Sequence, residues 1–239
     1  MAPTVAIIGG TGKTGKWAVK GALVRGYSVR MLGRSPDKVG TILQELFPEK
    51  GKEELLKEVT VVQGSVTDQA KLTDLFNGAD VILSFLGMVK PPEFVVRPGV
   101  EAVMEAMRQC ESKPKFVSMS SISIGDSLGQ GRSAWGRITV GMVWVFLKSC
   151  FKDLEAAEQY IAEHKDGLNV SVIRATILSD KKGFFLDYSK RDSPSYKLVK
   201  VEQKAKLTKY VDRQAVAEAF LDVCETSEND GTFISVFGA

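Results

Sequence analysis

Short apolar runs rich in β-branched residues alternate along the chain with longer stretches in which apolar positions recur every three to four residues. The runs at Val5–Ile8, Ser28–Leu32, Thr60–Gln63, Val81–Phe85, Lys115–Met119, Asn169–Arg174 and Thr232–Val236 read as strands. Between them, Thr14–Arg25, Pro36–Leu46, Asp68–Leu75, Val96–Glu111, Ile138–His164 and Arg213–Glu225 read as helices. Near-continuous apolar strands separated by amphipathic helices belong to a parallel sheet covered on both faces. Right-handed crossovers through this series give an α/β, doubly wound parallel sheet. Two segments follow neither period: 127–137, rich in Gly and Ser, and 180–206, rich in Lys and Ser with Pro194. These are expected to be small substrate-facing loops. With no repeat or long linker, residues 1–239 are expected to form a single domain.

Composition narrows the function classes. A chain of 239 residues, 44% apolar, can bury a full core. Its 32 basic and 29 acidic residues are interspersed and sum to +3, without the basic block and interleaved aromatics of a nucleic-acid groove, so nucleic acid is not expected as a partner. Cys110, Cys150 and Cys224 are widely spaced and lack a CxxC pattern, which reads as reduced thiols. His164 is the sole histidine, and no metal site is expected. The first strand begins by Thr4, leaving no room before it for a signal or transit peptide. The longest apolar run, Ile138–Leu147, falls well short of the roughly 20 residues a membrane-spanning helix requires. A cytoplasmic protein without membrane contact is expected, as a monomer ahead of a homodimer, acting on a small-molecule substrate.

One motif carries chemistry. Gly9, Gly12 and Gly15, within GGTGKTG, form G-x-x-G-x-x-G between the first strand and a helix whose Ala18, Val19, Ala22 and Leu23 fall at i, i+4 spacing. In such a turn one glycine permits the tight bend, a second lets backbone N–H groups approach a pyrophosphate, and a third lets helix pack closely on strand. A glycine-rich turn without a ligand could be spelled the same way. The first-strand position, the early helix ending at Gly26 and the strand that follows directly favour a dinucleotide site of Rossmann type. Thr11, Lys13 and Thr14 complete the loop and are candidate cofactor contacts with it.

The spacing is looser than the G-x-G-x-x-G of ordinary dinucleotide dehydrogenases. VAIIGGTGKTG, VRMLGRSPDK, VVQGSVTD and ADVILSFLG follow one another in that order, and GVEAVMEAM, KFVSMSSIS, VSVIRATILSDKKG and YVDRQAVAEAFLDVCE follow them. In this series the chain resembles the atypical short-chain dehydrogenase/reductases, in particular the NAD(P)H-binding group that includes biliverdin reductase B (flavin reductase) and the NmrA-like proteins. The resemblance spans nearly the whole length. It implies that Ser65 and Val66 lie near the adenine, although many members have an aspartate where Ser65 stands. It also implies that Leu86 and Gly87 run under the nicotinamide-side ribose, and that Thr176 and Ile177 approach the carboxamide. Ala175 replaces the proline of the usual Arg-Pro after Arg174.

Cofactor choice rests on the end of the second strand, where an NAD enzyme places a carboxylate against the ribose. Here Leu32 is followed by Gly33, Arg34 and Ser35, with Lys38 nearby. A guanidinium grips a 2′-phosphate bidentately and stacks on adenine, so Arg34 points to NADP(H). Lys13 and Arg30 are further candidate positive charges. Asp37 is the counter-indication, unless it serves the first turn of the next helix.

Short-chain reductases that use a tyrosine acid carry Y-x-x-x-K on the helix after the fifth strand and a serine on that strand. Ser121 is the best match to the serine, with Ser120 and Ser123 as neighbours. The tyrosine has no counterpart: one register puts Lys148 in its place and keeps Lys152 as the lysine, while another gives Phe151 and Glu155. Tyr160 stands four residues before His164 rather than a lysine. Ser121 as an orienting hydroxyl and Lys152 as a ribose or charge ligand are therefore the catalytic candidates, although Lys152 also suits a solvated face beside Glu155. Trp135, Met142, Trp144 and Phe146 read as core or interface, or as the lining of an apolar pocket. The expected function is NADPH-dependent reduction of a planar apolar acceptor such as a flavin, quinone or tetrapyrrole, without a Tyr-Lys pair. An NADPH-sensing binding protein of NmrA-like type and a redox-neutral isomerase or cyclase are the alternatives.

Overall fold

Side-chain alternation within the strands decides the architecture. In β1 (Thr4–Ile8), Val5 and Ile7 pack into one buried cluster while Ala6 and Ile8 pack into another on the opposite face. The same division holds in β4 (Val81–Ser84), β5 (Lys115–Ser121) and β6 (Val170–Ala175). One face is covered by α1 (Gly15–Val24), α2 (Pro36–Leu46), α3 (Lys52–Lys57) and α7 (Arg213–Glu225). The other is covered by α4 (Gln69–Phe76), α5 (Val96–Arg108) and α6 (Ala134–His164). The computed structural model describes residues 2–87, 94–122, 124–129, 134–180, 196–200 and 210–238, with backbone alone at 128–129 and 134–147.

With β2 (Ser28–Gly33), β3 (Val59–Gln63), β8 (Tyr196–Lys200) and β10 (Phe233–Gly238), the main sheet runs β3-β2-β1-β4-β5-β6-β10-β8. Every pair is parallel except β8 against β10. The doubly wound parallel sheet is therefore observed, and its winding reverses between β1 and β4. That reversal opens a crevice at the carboxyl ends of the strands, where such sheets bind ligands. A small second sheet pairs β7 (Ile177–Ser179) with β9 (Tyr210–Asp212) just beyond β6.

Two expectations require correction. Segment 127–137 is not wholly irregular, because a 3₁₀ turn spans Gly125–Gly129 and α6 already starts at Ala134. Segment 180–206 contains β8, an edge strand in which Tyr196 and Val199 are buried while Lys197 and Lys200 face out. Exposed lysines help an edge strand resist further pairing, and Lys197 and Lys200, on opposite faces, break the apolar alternation that would mark a strand in the sequence. The rest of that segment, apart from Asp180, lies outside the described residues, as do the side chains of Trp135, Met142, Trp144 and Phe146. The cysteines form no disulfide. Burial pushes the Cys224 thiol up to about 12, so it is protonated at neutral pH. Among the described residues no helix is long and apolar enough to cross a membrane, and no cluster of metal-ligating side chains occurs.

Candidate functional site

The glycine loop sits at the switch point, and each of its glycines has a steric reason. Gly9 ends β1 with φ +75°, and a Cβ there would stand 2.9 Å from the Phe85 carbonyl oxygen at the end of β4. Gly15 opens α1, where a Cβ would lie 2.3 Å from the Gly9 oxygen, so only glycine lets the helix seat this closely. Among the described residues, a Cβ at Gly12 would meet the Gly9 oxygen alone, at 3.1 Å. The turn is closed by a hydrogen bond from the Gly12 N–H to Gly9 at 2.9 Å. Thr11 is half-buried, Lys13 is exposed and Thr14 is buried at the N-cap of α1. The Thr14 side chain makes no capping bond, and α1 has no acidic residue in its first turn. The Lys16 and Trp17 N–H groups already donate to the Gly12 and Thr14 carbonyls, so what α1 presents to an anion is its positive dipole end, with no carboxylate in its first turn to neutralise it.

At the end of β2, Arg34 is exposed and its side chain makes no described hydrogen bond or ion pair, while its carbonyl accepts from Gln63 at 3.4 Å. Ser35 caps α2 by accepting the Lys38 N–H, Pro36 takes the first helical position, and Asp37 follows in the first turn. Asp37, almost fully exposed, pairs with Lys52 at 3.2 Å. Arg30 is not available to a cofactor. It donates to the carbonyls of Asp74 and Leu75 at the last turn of α4, a favourable end for a cation.

Ser65 is exposed and occupied with Thr67, leaving Val66 as the apolar group at the end of β3. Val66 and Leu86 converge over α5 at Gly99, where a Cβ would stand 2.5 Å from Leu86 Cδ1 and 3.2 Å from a Val66 methyl. Two strand ends thereby share an apolar wall. Among the described residues, a Cβ at Gly87 would meet Met119 Cε, at 3.7 Å, and nothing nearer. Met119 and Ser121 share one face of β5 by alternation, which puts Ser121 on the Gly87 side. Ser120 faces the α6 layer beside Leu154 and Glu158, and its hydroxyl has no described partner. Ser123 lies outside the described residues. Ser121 pairs in register with Ala175, followed by Thr176, which is buried, and Ile177, which is half-exposed opposite a half-exposed Tyr210.

Lys152 does not join these residues. It is exposed on α6, whose inward stripe is Phe151, Leu154, Ala157, Glu158 and Ile161, and no described hydrogen bond or ion pair connects it to the strand ends. Tyr160 stacks on His164 in the last turn of α6 with the Arg97 guanidinium over its ring, which commits it elsewhere.

Two groups were missed from sequence. Arg174 is buried, gripped by Glu158 at 2.6 Å from α6 and paired with Asp126 at 2.6 Å. Burial alone would lower the guanidinium's pKa, but the bonds and charges of Glu158 and Asp126 hold it above its ordinary value. Arg213 opens α7, donates to Thr14 Oγ1 at 3.2 Å and pairs with Asp180 at 2.7 Å. A cation at the first position of a helix opposes the dipole, and that anomaly was legible in YVDRQAVAEAF.

Residues 9–227 match the family model described as NAD(P)H-binding. The chain belongs to this NAD(P)H-binding family. Among curated relatives it is similar to the oxidoreductase tpcG of Aspergillus fumigatus, 25% identical over 201 residues, covering 79% of this chain and 72% of that protein. Among solved structures it resembles a short-chain dehydrogenase/reductase from Veillonella parvula in complex with NADP, with TM-score 0.71 and 18% identity over 99% of this chain and 95% of that one. It also resembles ChuY, an anaerobillin reductase from Escherichia coli O157:H7, with TM-score 0.70 and 15% identity over 99% and 97% of the two chains. At these identities the structural likenesses establish a shared fold, and the family model establishes the nicotinamide dinucleotide as its ligand class.

Proposed function

We propose that this member of the NAD(P)H-binding family is an NADPH-dependent oxidoreductase acting on a planar, apolar acceptor such as a flavin, quinone or tetrapyrrole. The observation that carries the reading is the glycine cradle at the switch point, open at Gly12, in line with the exposed Arg34 at the next strand end. Gly9, Thr11, Gly12, Lys13, Thr14 and Gly15 would hold the diphosphate, and Arg34 with Ser35 a 2′-phosphate. Val66, with Ser65 beside it, and Leu86 would line the adenine and ribose side, while Gly87, Ser121, Thr176 and Ile177 would surround the nicotinamide. The cofactor supplies a hydride. The chain's contribution is orientation: the apolar rim at Ile177 and Tyr210 lays the acceptor flat, and Ser121 supplies a fixed hydroxyl. Relatives named as oxidoreductases and a neighbour named as an anaerobillin reductase support this class.

The test follows NADPH absorbance against flavins, quinones and biliverdin, with NADH and Arg34→Ala as controls. Oxidation should depend on the acceptor and prefer NADPH, and the variant should lose about tenfold in NADPH affinity with little change for NADH, as expected for a charge-assisted phosphate contact. NADPH binding without oxidation by any acceptor would replace the reductase with a sensor or a redox-neutral enzyme. An unchanged preference in the variant would remove Arg34 from cofactor selection.

A further inference from the structure

We infer that Arg213 is a ligand for the cofactor diphosphate and that Asp180 is an internal carboxylate competing with that diphosphate for Arg213 and Lys13. This rests on the dinucleotide reading above, and it concerns residues from three separate elements. Lys13 comes from the glycine loop, Asp180 follows β7, and Arg213 is the first residue of α7. All three meet at the N-terminus of α1. Arg213 binds Asp180 at 2.7 Å and the Thr14 hydroxyl at 3.2 Å, and Asp180 reaches Lys13 at 3.9 Å.

The physical case begins with cost. Arg213 stands where the dipole of α7 disfavours a cation, and two carboxylates offset it: Asp212, which caps the helix through the Gln214 N–H, and Asp180. Asp180 does so from an exposed position, 61% accessible, whereas the Arg213 side chain is only 19% accessible. An exposed carboxylate and a guanidinium mostly buried and bonded to Thr14 make an unequal pair: the guanidinium is the better-held partner and the carboxylate the one water can reach. Its fixing group is informative. Thr14 lies in the phosphate loop itself, so a guanidinium bonded to Thr14 Oγ1 is within reach of anything the α1 N-terminus binds. The loop meanwhile carries Lys13, 77% exposed and joined to the same carboxylate at the limit of an ion pair. A diphosphate presents two anionic phosphates with many acceptor oxygens and suits a guanidinium fork better than one shared carboxylate does. Binding it would satisfy Arg213 and Lys13 together and return Asp180 to solvent.

The experiment measures binding of NADPH and NADH by fluorescence titration to the parent, Arg213→Gln and Asp180→Asn, with the effect of inorganic pyrophosphate on thermal unfolding in parallel. Arg213→Gln should weaken both dinucleotides by a similar factor, about tenfold, because the contact is to the part they share. Asp180→Asn should tighten both, about threefold, since the competitor's charge is gone while Thr14 still holds Arg213. Pyrophosphate should raise the unfolding midpoint of the parent, more so that of Asp180→Asn, and not that of Arg213→Gln. Arg213→Lys keeps the charge and serves where Arg213→Gln folds poorly; it should bind with intermediate affinity. The sign of the Asp180→Asn effect separates competition from scaffolding, because a merely structural ion pair predicts weaker binding when broken. Weaker or unchanged binding in Asp180→Asn, or parental affinity in Arg213→Gln, overturns this inference and leaves the dinucleotide reading standing. A parent that binds neither dinucleotide overturns both.

Discussion

Alanine at Gly12 and at Gly15 should separate the loop's two duties, seating a helix and holding an anion. A Cβ at Gly15 would stand 2.3 Å from the Gly9 oxygen, 2.9 Å from its carbonyl carbon and 3.0 Å from Gly10 Cα. These are backbone atoms with no rotamer to yield, so the loop must move by more than about 1 Å to reach ordinary contact near 3.5 Å. Overpacking of this kind costs about 1–3 kcal/mol. Replacing glycine in a helix returns at most about 1 kcal/mol, and less at a first turn. The net loss of about 1–2 kcal/mol corresponds to a fall of about 2–8 °C in unfolding midpoint for a domain of this size. The displaced N–H groups would also lose charge-assisted bonds worth about 1.5–3 kcal/mol each, at least tenfold in Kd. Among the described residues, Gly12→Ala meets one atom, at 3.1 Å, and Gly12 is not among the positive-φ glycines, so stability should stay within about 0.5 kcal/mol of the parent. Its methyl group nevertheless enters the open side of the cradle, and NADPH affinity should fall tenfold or more. Thermal unfolding and NADPH fluorescence titration on both variants make the comparison. If Gly12→Ala binds NADPH as the parent does while remaining folded, the loop is a structural turn and the dinucleotide reading loses its central support.

The remaining predictions concern the strand ends further along the sheet. Arg174→Leu, which leaves the Glu158 carboxylate buried without its cation, should cost about 3–5 kcal/mol, Glu158→Leu should cost less because Asp126 still pairs with Arg174, and the double change should cost less than the singles summed; denaturant titration reads this directly. Ser121→Ala should lower kcat with an active acceptor while leaving NADPH affinity near parental. Equal turnover would remove Ser121 from the mechanism.

What could be read from the chain alone divides by distance in sequence. The seven long strands were legible because burial on both faces forces a continuous apolar run, and α2 and α7 were legible to the residue because Ser35 and Asp212 cap them. The glycine loop was legible for the same reason: its three glycines answer to atoms within a few residues or on the adjoining strand end. The three-residue strands β7 and β9 were not, since so short a segment has no period to detect. Arg213 and Asp180 stand 33 positions apart and meet only in the folded chain. Lys152 was placed by spacing to a tyrosine that this helix lacks. Without that anchor the register of α6 against β5 is set by Phe151, Leu154, Ala157 and Ile161 packing inward, which turns Lys152 out.

That register also bears on the chemistry. The inward face of α6 beside the end of β5 is occupied by apolar side chains and by Glu158, and Glu158 is already committed to Arg174 from the neighbouring strand. That carboxylate is turned toward Arg174 by three hydrogen bonds rather than toward the end of β5. Among the described residues, the hydroxyl on the Gly87 side of β5 is that of Ser121, a hydrogen-bond donor far too weakly acidic to give up its proton at neutral pH. Reduction of an isolated carbonyl develops full charge on one oxygen and needs a proton there as the hydride arrives. A flavin, quinone or tetrapyrrole spreads that charge over a conjugated system and can take its proton from water afterwards. On the reading proposed above, reduction would be limited by how well two flat rings are stacked, and the described residues that would tune its rate are those at the apolar rim, Ile177 and Tyr210.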